Sequence, residues 1–480
     1  MDEPDIVPAI PLDGVRLTCE QVRAIAREGA PVEVTQAGRK RARAAWKTVQ
    51  AVAAARPVYG RTTGVGANRS VEIQDEDAEH GLRLLRSHAG GAGPLLDPAR
   101  VRAMLAVRLN QLAAGGSGVH PALLGALAEA LNRGLTPPVR TYGAIGTADL
   151  TALASTALCL LGERPWTGGT MPPYALASAD ALAFISSNAA TLGEAALACQ
   201  DLRQLLHASL VIAALSFVAV DGSAEPFAAA VHGSRPHSGQ HTVAAQMRQF
   251  LGDEPRPAAR IQDPYSYRAL PQVHGAAIDA AANLERTLTI EMNAAGENPL
   301  VDVPGQTVLH NGNFHTAYVA LALDAARAAL VQTAALSAAR LGTLVEPAYT
   351  GLRPFLAAGP EPSSGIMILE YVAHSALADL RQSGVGSALG SAVLSRGVEE
   401  HASFSAQAAR SATHAVGTYQ VVLACGLVAA VRALRMRELD VPAPLRPAYE
   451  RAAAALDPRT DDRPLDDDLE AAIGILRDLG

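Results

Sequence analysis

Residues 189–230 read AATLGEAALACQDLRQLLHASLVIAALSFVAVDGSAEPFAAA. The run contains few helix breakers. Helices longer than about 25 residues are uncommon in ordinary globular domains. Residues 276–292, 314–341 and 401–436 have the same character. Several such helices in one chain predict an all-α fold with a central long-helix bundle. Their all-round apolar faces predict that subunits cover one another. Residues 205–220 are strongly apolar, but Asp201, Arg203 and Asp221 bracket them closely. They read as a buried core helix, and no apolar run is flanked as a membrane span would be.

Composition agrees. The chain has 480 residues, 49% hydrophobic and only 4% aromatic. Alanine-rich stretches without Pro or Gly suit closely packed helices. The formal charge is −7 and no basic stripe is visible, which argues against nucleic acid as a partner. Cys19, Cys159, Cys199 and Cys425 are scattered without metal-ligand spacing, so no metal site is expected. The acidic N-terminus lacks a signal-peptide core, which points to a soluble cytoplasmic protein.

Around the long helices the chain is punctuated. Residues 58–70 form a loop rich in Gly and Thr, and a helical pattern begins at residue 79. Gly115-Gly116-Ser117-Gly118 interrupts it. A helix over 121–131 follows, then Pro137-Pro138, a loop over 143–150 and a helix over 151–161. The stretches 232–240, 252–259 and 352–365 read as connections. The expected domains are an N-terminal helical domain over 1–190, a long-helix bundle over 191–438 and a helical cap over 439–480.

Eight short motifs carry the chemistry. They are Val58-Tyr59-Gly60-Arg61-Thr62-Thr63-Gly64-Val65-Gly66, Leu84-Leu85-Arg86-Ser87-His88-Ala89-Gly90 and Arg108-Leu109-Asn110-Gln111-Leu112 followed by Gly118. Gln262-Asp263-Pro264-Tyr265-Ser266-Tyr267-Arg268 precedes Pro271-Gln272-Val273-His274-Gly275. Asn298-Pro299-Leu300, Gly312-Asn313-Phe314-His315 and Glu399-Glu400-His401 complete the set. In this order and spacing, over roughly residues 55–430, they resemble the aromatic amino acid lyase family of histidine, phenylalanine and tyrosine ammonia-lyases and aminomutases. The resemblance implies the all-α, long-helix bundle of the ammonia-lyase and fumarase/aspartase type. It also implies a small-molecule substrate and a homotetramer with active sites shared between subunits.

The resemblance also implies roles. Tyr59, on a glycine-rich lid loop, corresponds to the family's catalytic base; a phenol with an ordinary pKa near 10 needs neighbours that lower it for that task. Tyr265 is a second phenol near the reacting group, and Glu399 could hold an amino group. Arg268 offers a planar fork for a carboxylate. His88 lies where the family reads the substrate ring. Gln262 and Asn298 are amides that could orient substrate, and Phe314 is expected beneath the loop over 143–150. The family's pocket asparagine falls on Ser186 without a gap, or on Asn188 with a two-residue slip.

The decisive departure lies in Tyr142-Gly143-Ala144-Ile145-Gly146-Thr147-Ala148-Asp149-Leu150. The family has Ala-Ser-Gly before Asp-Leu, and that tripeptide cyclises into methylidene-imidazolone (MIO), a built-in electrophile. This chain has Gly146-Thr147-Ala148. Ala148 crowds the attacking amide, where glycine suits the tight turn. Thr147 would leave a hindered, methyl-substituted alkene. Standard MIO is therefore expected to be absent, with no other cofactor. On its own, the loop also reads as a tight turn with Asp149 capping the following helix.

Three readings of function remain. The first is a lyase-type enzyme that makes or breaks a carbon–heteroatom bond on an activated carboxylate or carbonyl substrate without standard MIO. Elimination, Michael-type addition or cyclisation would serve, and specialised metabolism is the expected setting. The second is an ammonia-lyase or aminomutase with an electrophile derived from Thr147. The third is a non-catalytic subunit on the same scaffold, against which the retained Tyr59, Tyr265, Arg268 and Glu399 argue.

Overall fold

The computed structural model describes residues 8–74, 79–254 and 256–479. The acidic residues 1–5 lie outside that range. The architecture is all-α, as expected. Its longest helices are Ala189–Ala219, Leu270–Met292, Ala317–Val345 and Ser405–Met436. Strand is confined, among the described residues, to three two-stranded pairs.

The boundaries differ from those expected, for local reasons. The helix from residue 189 stops at Ala219 rather than near residue 230. There Asp221 takes φ +48 and the Phe217 ring occupies the space a Cβ would need at Gly222. The last long helix begins at Ser405, not at residue 401. Leu150–Leu160 forms the expected short helix. Asp149 does not cap it through its side chain; its carboxylate turns to Thr191, which donates from N at 2.7 Å and from Oγ1 at 2.9 Å.

Two compact units emerge. The first comprises Met1–Gln200, Leu284–Leu323 and Gly386–Arg410; the second comprises Asp201–Asn283, Asp324–Val385 and Ser411–Gly480.

In the first unit the helix Pro98–Ala114 is the frame. Asp97 accepts from Arg100 N, Pro98 opens the first turn, and Gly115 ends it at φ 90. Most of its residues from Val101 to Ala113 are buried. Three polar residues of the Arg108-Leu109-Asn110-Gln111 motif sit inside it and tie distant segments to it. Arg108 donates to Glu297 at 2.8 Å, to Phe184 O at 2.9 Å and to Ala183 O at 2.6 Å. Asn110 donates to Met292 O. Gln111 accepts from Ser187 Oγ at 2.6 Å and donates to Glu291 O. The motif thus ties down residues 183–187 and 291–297, the segments that contain Ser186 and lead directly into Asn188 and Asn298. A short hairpin pairs Leu300–Asp302 with Thr307–Leu309. It brings Asn311 N to Asn298 Oδ1 at 3.0 Å.

The second unit contains the shorter helices Ser238–Leu251, Tyr265–Arg268, Ile368–Ser383, Arg446–Ala455 and Asp466–Ile475. All four cysteines are buried. By length and composition alone three helical stretches could cross a bilayer, a feature the charge-bracketing argument did not anticipate. The most apolar windows of the stretches ending at Ala219 and Met436 are, however, 83% and 72% buried inside the protein, as core helices are.

Candidate active site

The loop that carries Tyr59 owes its path to glycine. Gly60 takes φ +69, and a Cβ there would collide with Leu182. Arg61 anchors the loop from below, bonding Asp180 at 2.8 Å and Gly118 O at 3.1 Å. The chain then curls so that Gly66 N donates to Tyr59 Oη at 2.7 Å. Ala67 N reaches Ser395 Oγ at 3.1 Å, fastening the loop to the segment that leads to Glu399. Tyr59 N donates to His310 Nε2 at 3.2 Å. Burial pushes the Tyr59 phenol above its ordinary pKa; the Gly66 N–H opposes this, and Glu399 adds to the rise. These neighbours do not supply the lowering that a resting base would need. Desolvation outweighs the single backbone donor, so the resting hydroxyl keeps its proton at neutral pH.

The loop over 143–149 is enclosed by polar groups. Gly146 O accepts from Thr316 N at 3.3 Å, from Thr316 Oγ1 at 3.1 Å and from Ser403 Oγ at 3.1 Å. Ser405 Oγ lies 2.7 Å from Thr316 Oγ1. A hydroxyl has one proton, so if Thr316 gives its own to Gly146 O, Ser405 must donate to Thr316. Ile145 O accepts from Phe404 N at 2.8 Å, and Ala144 O from Gln407 Nε2 at 2.9 Å. On the far side Ala148 N donates to Asn188 Oδ1 at 3.0 Å. Asn188 in turn donates to Phe314 O at 2.6 Å. Thr316, Ser403, Ser405 and Asn188 are all buried.

Both ends of the tripeptide are conformationally unusual. Gly146 has φ +88 and Ala148 has φ +90. An L residue in the left-handed region costs roughly 1–2 kcal/mol, so Ala148 is strained where a glycine would not be. Asp149 is fully buried; desolvation pushes its carboxyl up to about 6, against the Thr191 donors.

Of the other expected first-unit residues, Ser186 Oγ accepts from Asn298 N at 3.3 Å, so Asn188, not Ser186, touches the loop. His88 ends the helix His80–His88, its Nδ1 within 2.9 Å of Leu84 O. The same nitrogen lies 3.0 Å from Ser87 Oγ, so the Nδ1 side of the ring is turned to its own helix. Glu399 is held through its backbone, Leu394 N donating to Glu399 O at 2.8 Å.

The sequence reading missed Thr316, Ser403, Ser405 and the pair His315–His401. His315 Nε2 lies 2.8 Å from His401 Nδ1. Burial and the neighbouring His401 hold the His315 imidazole below its ordinary pKa. Both histidines stood in quoted motifs, and Thr316 and Ser403 lie one and two residues beyond them.

In the second unit Gln262, Tyr265 and Arg268 line one open cavity of about 590 Å³, with Glu225, Asp263 and Gln272. Asp263 shapes its floor by accepting from Ser223 N at 2.6 Å and Arg260 Nε at 3.0 Å. The Arg268 guanidinium stacks 4.2 Å from the Tyr265 ring centre. Among the described residues, Arg268 Nε and Gln272 Oε1 have no hydrogen-bond partner. Tyr267, by contrast, is spent on structure, its hydroxyl 2.7 Å from Thr343 Oγ1.

An all-α frame of long helices, a glycine-rich loop carrying a tyrosine and a strained, polar-walled loop before Asp-Leu define a class of enzyme. Residues 17–457 match the aromatic amino acid lyase family. The chain is 37% identical over 443 residues to a histidine ammonia-lyase of Geobacillus kaustophilus, covering 88% of each protein. The structure of tyrosine aminomutase from Streptomyces globisporus is similar, with a TM-score of 0.91, 29% identity, and 98% and 97% of the two chains covered. Histidine ammonia-lyase from Trypanosoma cruzi gives a TM-score of 0.91 at 28% identity, covering 98% of this chain and 94% of that one. The chain belongs to the aromatic amino acid lyase family and is a lyase of the ammonia-lyase type.

Proposed function

We propose that this lyase acts on a small carboxylate- or carbonyl-bearing substrate that brings its own activation, and that it does so without a standard MIO group. The observation that carries this reading is Ala148. It sits buried at φ +90, its methyl group beside the amide nitrogen that would have to attack. Thr147 adds a second obstacle, because its methyl would remain on any exocyclic alkene. The standard group does not suit these two residues.

A conjugated acid or ketone needs only orientation, an anchor for its oxygen and a proton. In addition, a heteroatom lone pair attacks the β-carbon and the displaced electron pair moves onto the carboxylate or carbonyl oxygen. The Tyr59 hydroxyl then protonates the α-carbon and regains its proton from the heteroatom that has added. Elimination is the reverse. Arg268 has the fork for the oxygen, with an Nε donor to spare. Tyr59 has the proton, because its phenol rests protonated. Tyr265 braces Arg268 through its ring, and Glu399 sets the field at Tyr59. The same reading extends to a homotetramer with shared active sites.

The test is ammonia release from histidine, phenylalanine and tyrosine by the wild-type protein. All three are expected to be very poor substrates, because their β-protons are far too weakly acidic for an unassisted protein base. Rapid release from any of them would replace this reading with the second one, an ammonia-lyase or aminomutase using a Thr147-derived electrophile. The similarity to proteins named histidine ammonia-lyase favours that alternative.

A further inference from the structure

We propose that the wall around residues 146–148 is a ring-closing chamber shaped for glycine at 146, held idle only by the side chains of Thr147 and Ala148. The proposal rests on the MIO-free reading of the wild-type chain. Three donors converge on one backbone carbonyl oxygen, Gly146 O, inside a buried site. A turn needs one donor at such an oxygen. Three match the charge that would develop there if the amide nitrogen of residue 148 attacked the Gly146 carbonyl carbon. Asn188 Oδ1 already faces the N–H of that nitrogen.

Thr147→Ser with Ala148→Gly removes both obstacles and leaves every wall residue in place. Ring closure then forms the bond from N of residue 148 to C of residue 146. The protons on the nitrogens of 148 and 147 leave with Gly146 O as one water, giving a carbon–nitrogen double bond. A second water takes the hydroxyl of the serine introduced at position 147, together with the α-proton of that position, giving the exocyclic alkene. Neither step needs an oxidant or reductant.

The geometry further separates this chain from the family's Ala-Ser-Gly. A Cβ on residue 146 would collide with Ser403 Oγ and lie 2.8 Å from Ser405 Oγ and 3.0 Å from Ser405 N. Ser403 would have to swing off the very oxygen it holds. Restoring alanine at 146 should therefore hinder closure, although the family carries it.

The experiment is intact mass and near-UV absorption on the purified full chain. The wild type should show the sequence mass. The double variant Thr147→Ser, Ala148→Gly should lose two waters and gain a near-UV band; loss of one water supports ring closure where the serine hydroxyl is still present, and contradicts it where that hydroxyl is the water lost. Adding Gly146→Ala, or Ser403→Ala, should slow conversion by roughly 10²-fold, the usual cost of one such donor. A double variant with native circular dichroism but unchanged mass would overturn the chamber and leave the MIO-free reading standing. Equal conversion with and without Gly146→Ala would overturn the fit for glycine. A wild-type chain two waters light would overturn the MIO-free reading, and with it the claim that the two side chains are the block.

Discussion

The loop over 143–149 and the cavity around Arg268 use polar groups in opposite ways. At the loop, the carbonyls of residues 144–146 and the amide of residue 148 meet protein partners. Gly146 O has three donors, Ala148 N has Asn188, and Asn188 passes its own N–H to Phe314 O. Around the cavity, polar capacity is left unmet: Arg268 Nε and Gln272 Oε1 have no partner, beside about 590 Å³ of open space. A buried group left unpaired costs about 1–3 kcal/mol. The difference separates a loop held by the chain's own groups from a cavity that, on the proposed function, takes the substrate. Mutations in the two regions should therefore separate stability from binding.

The largest effect should come from the frame of the first region. Arg108 and Glu297 are both fully buried, and burial pushes Arg108 below and Glu297 above their ordinary values while their mutual attraction opposes this. Arg108→Ala strands the carboxylate and releases Phe184 O and Ala183 O. Denaturant unfolding should show a loss of about 3–5 kcal/mol. A loss under about 1 kcal/mol, the scale of an exposed pair, would mean that the motif does not hold the loop's walls.

Tyr59→Phe removes one hydroxyl and little volume. Turnover of the true substrate should fall roughly 10²-fold or more, with the melting temperature nearly unchanged. Full activity in this variant would break the assignment of the proton to Tyr59. Arg268→Lys keeps the charge but loses the fork and the stacking on Tyr265. It should raise KM by roughly tenfold, equivalent to about 1.4 kcal/mol, and spare stability; a loss of stability without a change in KM would place Arg268 with the structural region instead. The smallest effect is expected at Ala148→Gly alone. Relief of the left-handed strain should stabilise the protein by about 1 kcal/mol, less what glycine loses in the unfolded chain.

Much of this was legible in the sequence. Uninterrupted apolar runs announced the long helices, because length and composition alone identify them. Their ends were less legible: the stop at Ala219 depends on the Phe217 ring filling the place of a side chain at Gly222, a contact that helix periodicity does not show. The Arg108-Leu109-Asn110-Gln111 motif was visible, but its work is to hold backbone rather than substrate. Asn188 could be told from Ser186 only by its bond to Ala148 N. Thr316, Ser403 and Ser405 escaped notice because they lie 170, 257 and 259 residues beyond Gly146 in sequence. Their single hydroxyls also form no spaced pattern that a motif search would find.

The central claim is that Gly146-Thr147-Ala148 remains an open peptide in a lyase of this family. Intact mass of the purified wild-type protein, read together with its near-UV difference spectrum after borohydride treatment, tests it most directly. The account predicts the full sequence mass, allowing only for removal of the initiator methionine, and a spectrum that borohydride leaves unchanged. A mass two waters lower, located by peptide mapping to residues 146–148, with an absorbing band that borohydride bleaches, would contradict it.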